Sequence, residues 1–150
     1  MRTMYRPAAE TLMVAGLLGW GYVALIAVLR PHVLSEPIAA VLPMRRDTFG
    51  ALCLLVSFGA ACVLRARTGK FWTRRPGRPD AAEAALAAVG GYAFLVWVYL
   101  CLNNLFHPET TGYRLTHFWE HPSEGTTAVL CFLLLSVCLF GLRVRKARHG

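Results

Sequence analysis

The sequence predicts an all-α integral membrane protein, a bundle of four transmembrane helices. Three observations carry that prediction. Of the 150 residues, 56 % are hydrophobic and the mean hydropathy is +0.46. The apolar residues are gathered into four long blocks, and the basic residues fall mainly between and beyond those blocks on one side. A helix rises about 1.5 Å per residue and the hydrocarbon core is roughly 30 Å thick, so each block is long enough to span or nearly span it.

The first block, Leu12 to Leu29, carries no charge, and Arg2 and Arg6 precede it. It is long for the apolar core of a signal peptide, and no clear small-residue cleavage site follows it, so it is expected to remain as a helix. The second runs from Phe49 to Leu64, the third from Ala84 to Phe106 and the fourth from Thr126 to Leu142. Allowing for helix ends, the expected spans are approximately 9–29, 48–64, 82–106 and 125–142, within one membrane domain covering 1–150. Asp80, with Glu83 three residues on, reads as the N-cap of the third helix.

The net charge of +8 would suggest nucleic acid in a soluble protein. Here its distribution points to topology, and no nucleic-acid partner is expected. With the N-terminus inside, twelve basic residues fall on the inner side and four on the outer side. The positive-inside rule then predicts cytoplasmic N- and C-termini in a multi-pass protein of the cell's inner membrane. High Ala, Arg and Gly usage suggests a GC-rich bacterial source.

The five cysteines all lie within predicted spans and none forms a C-x-x-C pair, so they read as small packing residues. The first half of the third helix is nearly all small residues. Ala87 and Gly91 have small-xxx-small spacing, and with Gly90 they predict close helix packing. Helix 1 has its own small-residue run in Gly16, Gly19 and Gly21. The first outer connection, Arg30 to Asp47, is proline-broken and expected to lie in the interface. Phe71 and Trp72 of the inner loop are expected to anchor at headgroup level.

The chemistry-bearing segment is "HFWEH", residues 117 to 121. At helical spacing Tyr113, His117 and His121 share one side of a short helix, and Leu115, Phe118 and Trp119 share the other. Pro122 then stops it. A short amphipathic interfacial helix in the second outer loop is expected. The segment also matches the inverted zinc-protease motif, H-x-x-E-H. A hydrolase needs a further ligand and a walled cleft, whereas only a short loop surrounds the motif. No enzyme is expected.

Metal binding without catalysis asks for less. His117 and His121 can share one copper or zinc ion, with His107, Glu120, His32 or Glu124 completing the shell. A b-type haem is disfavoured, because no spanning block holds a mid-membrane histidine.

Charged groups within spans are confined to Glu10 and Glu83, both near helix ends, which argues against a pump or coupled transporter. The leading expectation is an accessory or scaffolding subunit of a larger inner-membrane complex, respiratory or photosynthetic in type. Its partners would be the lipid bilayer and other membrane subunits, or further copies of itself. The alternative is an outer-face copper- or zinc-binding protein in metal delivery or metalloenzyme assembly, and a weaker one is a small channel or transporter. The metal reading predicts near one ion per chain in mildly purified protein. Elemental analysis checks it: the ion is absent from a His117→Ala/His121→Ala variant, and metal-free wild type would refute the reading.

Overall fold

The computed structural model describes residues 4–38, 43–69, 79–106 and 124–148. They form four long helices, α1 (Tyr5–Leu29), α2 (Arg46–Thr68), α3 (Ala81–Phe106) and α4 (Glu124–Arg148), each long and apolar enough to cross a membrane. The protein is therefore multi-pass, and its spans are in contact with lipid. Every helix runs past its apolar block into charged residues. Arginine and lysine are good helix formers, and their long stems let the charged heads reach the headgroup layer from a helical backbone.

The helix ends have local causes. Pro7 falls in the first turn of α1, where its missing N–H is not needed. α2 stops at Gly69, whose φ of +68° is left-handed and whose N–H closes on the Arg65 carbonyl at 3.0 Å. α3 starts as the sequence predicts: the Glu83 N–H donates to Asp80 Oδ1 at 2.7 Å.

α1 and α2 pack as an antiparallel hairpin, and so do α3 and α4. α1 also packs on α4, whereas α1 and α3 touch at few points and α2 packs principally on α1. The end of the bundle holding the start of α1 and the end of α4 is called the terminal end below; the other is the loop end.

Close approach of backbones defines the α1–α2 contact. A Cβ built at Gly16 would lie 2.6 Å from the Cys53 carbonyl oxygen and 2.9 Å from Ser57 Cβ. Gly19 faces the Cys53 thiol, and Gly50 of α2 receives Val23 in return. Ser57 exploits the short distance by donating its hydroxyl to the Met13 carbonyl at 2.9 Å, across the two helices. Nearer the terminal end, Ala9, Ala60 and Leu64 form a small core with Met13 against it. Lipid tails are as apolar as leucine, so these helices are held by packing and hydrogen bonds and not by exclusion of water.

The α3–α4 hairpin repeats the device once. A Cβ at Gly90 would lie 3.0 Å from Cys138 Cβ, and Gly141 of α4 accommodates Leu86. Toward the loop end, Trp97 fills the space between helices, with Phe132 of α4 at 5.6 Å and Tyr22 of α1 at 6.4 Å between ring centroids. All five cysteines are free thiols, and two of them, Cys53 and Cys138, are the knobs that the glycines receive.

The first connection, expected to lie in the interface, is a folded element in its described parts. A 3₁₀ turn spans Pro31–Ser35, Pro37 pairs with Arg45 in a β-bridge, and the Ile38 N–H donates to the Met44 carbonyl.

Gly16→Ala is expected to destabilise the protein by about 1–3 kcal/mol, because its methyl group must displace the α2 backbone. Gly59→Ala, with nothing within 4 Å of the new methyl, should be neutral or slightly stabilising. Thermal unfolding in one detergent, with both variants measured side by side, checks the contrast.

Candidate functional site

The histidine segment lies outside the described residues, along with His107 and Glu120; its place in the chain is the connection between Phe106 and Glu124. The Phe71 and Trp72 anchors lie outside them too. Among the described residues no group of three or more His, Cys, Asp or Glu side chains could hold a metal ion. His32 is described, and it stands exposed on the 3₁₀ turn.

The three small residues of α3 part company. Gly90 is buried against Cys138. Ala87 and Gly91 are exposed, and nothing lies within 4 Å of a Cβ built at Gly91. The helical repeat puts Gly90 about 100° away from Gly91, so both cannot face α4. Gly21 of α1 is likewise open, while Gly16 and Gly19 face α2.

The charged groups buried among the described residues sit at the two ends of the bundle, while the buried Ser57 hydroxyl lies midway along α2. At the terminal end Glu10 is 2 % exposed, and its carboxylate lies between two guanidiniums. Arg143 Nε of α4 stands 3.2 Å from one oxygen, and Arg6 Nε, one turn earlier on α1, stands 3.4 Å from the other. Arg143 is itself buried, at 6 % exposure. An ion held at this depth is stable only when paired, so the pair joins α1 to α4 by mutual need.

Around it the same end is laced by charge. Arg145 of α4 donates to Asp80 at 2.7 Å, so the residue that caps α3 also binds α4. Arg67 of α2 lies over the ring of Tyr5 at 5.2 Å. Arg143 directly follows the apolar block that stops at Leu142, so its position in the sequence does not by itself indicate burial. The signal for its burial was Glu10, an acid in a spanning helix that had to find a cation.

At the loop end Arg46, the first residue of α2, is 7 % exposed. Its guanidinium donates to the Val33 carbonyl at 3.0 Å and to Glu36 at 3.2 Å. One arginine thus pins the first connection onto the helix ends. Beneath it, an open groove of about 370 Å³ runs between α1 and α3, lined by Leu17, Gly21, Tyr22, Trp97, Cys101 and Leu102 among others. The groove is almost wholly apolar, and α1 and α3 touch at few points.

Comparison of the chain with protein-family models, with curated proteins and with solved structures finds no match in any of the three. The described geometry holds ion pairs that fasten helices and surfaces that are free for lipid or other helices. Glu10→Leu should destabilise the bundle by about 3–5 kcal/mol, because it leaves Arg143 buried without its counter-charge. Glu10→Leu/Arg143→Leu should recover most of that loss. Detergent-induced unfolding of the two variants gives the comparison, and equal losses in both would show that the charges do not act as a pair.

Proposed function

We propose that the chain is an accessory, scaffolding subunit of a larger inner-membrane complex of respiratory or photosynthetic type, with both termini on the cytoplasmic side. The observation that carries this reading is the outward face of α3. Ala84, Ala87, Ala88 and Gly91 follow helical spacing along one stripe, and all four are exposed. In a bilayer, small residues permit backbone approach, and a lipid tail makes little use of that permission.

The rest of the bundle supports the same reading. In the most apolar 18-residue stretch of each span, at most 22 % of the residues are buried within this chain. α2 leaves Leu55 and Phe58 about two-thirds exposed, and α3 does the same with Tyr92 and Leu95. Such faces accept helices of another subunit as readily as lipid. The orientation rests on the charges, twelve basic residues against four. The spacing of His117 and His121 favours a second role, copper or zinc binding on the outer face, which metal content decides.

A scaffolding subunit should leave the membrane in mild detergent with a stoichiometric protein partner. Ala87→Phe/Gly91→Phe should release that partner while leaving the variant's own thermal stability near wild type, since neither side chain enters the bundle. Size-exclusion chromatography with mass spectrometry of the peak reads both outcomes. A wild-type chain that isolates alone and monodisperse would overturn the proposal.

A further inference from the structure

Two of the three glycines of α1, Gly16 and Gly19, are used up against α2; Gly21 is not. Nothing stands within 4 Å of a Cβ built at Gly21, and the residue lines the groove between α1 and α3. The residues that line it with Gly21 are large: Leu17, Tyr22 and Leu25 on α1, and Trp97 and Leu102 on α3. Trp97 is only 9 % exposed, and its ring packs with those of Tyr22, Phe94 and Phe132 at centroid distances of 6.4, 6.3 and 5.6 Å. That wall is held in place by its neighbours, and the space in front of Gly21 stays open.

Size and depth narrow the choice of occupant. The groove holds about 370 Å³ and is almost wholly apolar. On α1 it runs from Leu17 to Leu25, about 12 Å along the helix axis. A helix is about 10–12 Å across, so the same length of a partner helix needs roughly 1,000 Å³. The groove is too narrow for that, whereas a single hydrocarbon chain fits along it. The apolar block of α1 extends from Leu12 to Leu29, so its middle falls close to Trp20. The groove therefore reaches from about the middle of the membrane toward the loop end. That is the depth of the acyl chains of one leaflet, half of a hydrocarbon core roughly 30 Å thick. Left unfilled, such a trough would forfeit dispersion contacts along every side chain that lines it.

We propose that this groove holds one acyl chain of a phospholipid from the leaflet at the loop end, seated on Gly21 and against Trp97. Recognition is by the chain and not by the head group, because the groove offers almost no polar surface. α1 belongs to one hairpin and α3 to the other, and they touch at few points, so the chain supplies packing that the protein itself omits between them. The groove takes its α3 side from Phe94 to Leu102, beyond the stripe of Ala84, Ala87, Ala88 and Gly91, so a lipid here and a partner subunit there do not exclude each other.

Native mass spectrometry of the full chain tests this in detergent with equimolar palmitoyl-oleoyl phosphatidylcholine and phosphatidylglycerol, and separately with dihexanoyl phosphatidylcholine. Wild type should keep one long-chain phospholipid, with little preference between the two head groups, and should not keep the short-chain lipid. Gly21→Leu puts a side chain into the groove from a position whose Cβ meets nothing, and retention should fall about tenfold. Gly59→Leu makes the same addition on α2, where a new Cβ also meets nothing, and should retain lipid like wild type. Wild type that keeps no phospholipid, or a Gly21→Leu variant that keeps as much as Gly59→Leu, would overturn the proposal. A strong preference for one head group, or equal retention of the short-chain lipid, would overturn it as well, by placing recognition at the head. None of these readouts involves a partner protein, so a failure here is distinct from failure to isolate one.

Discussion

A single buried carboxylate sets the terms on which these helices assemble. Glu10 sits on α1 where a spanning helix has left the headgroup layer, and a lone charge there is costly. Its counter-charge, Arg143, comes from α4, at the opposite end of the sequence. α1 and α2 form one hairpin and α3 and α4 another, so this pair fastens hairpin to hairpin and not helix to sequence neighbour. At the same end Asp80 caps α3 and binds Arg145 of α4, a contact that ties the second hairpin together internally. With that end fixed, α1 and α4 lie side by side, and α3 leans over α1 without closing on it. The groove at the loop end follows from the same constraint.

Within each hairpin the governing quantity is the distance between backbones. Gly16, Gly19 and Gly50 bring α1 and α2 so close that a hydroxyl on one helix reaches a carbonyl on the other. Gly90 does this for α3 and α4 at a single point, and Trp97 fills the wider space beyond it. The two hairpins therefore differ in kind: one is a glycine seam and the other is a glycine contact followed by an aromatic wedge. In both, a cysteine serves as the knob, since its sulfur is small enough to enter the gap and polarisable enough to hold there.

The presence of four long apolar helices was legible in the sequence because hydropathy over a membrane thickness is a property of the segment itself. The Asp80 cap was legible for the same reason, as its partner lies three residues away. What the sequence could not show was the facing of side chains that depend on a distant partner. Arg143 and Arg46 read as residues outside the spans, and both are buried because an acid elsewhere in the chain draws them in. Ala87 and Gly91 have the spacing for close packing, but spacing states which residues would allow an approach and not which helix makes it. The histidines at 117 and 121 lie outside the described residues, so their chemistry rests on their spacing alone.

The order of neighbours across the bundle, α2 then α1 then α4 then α3, is closer to a bent row than to a square. A row has more perimeter per helix than a square does. The chain accordingly gives up internal contact for boundary, and its free energy comes to depend on whatever lines that boundary. Swelling or thinning of the surrounding bilayer acts on every helix directly, with no inner helix sheltered from it. Four such helices behave less like a self-contained barrel than like a stretch of fence, whose firmness is set by the ground on either side.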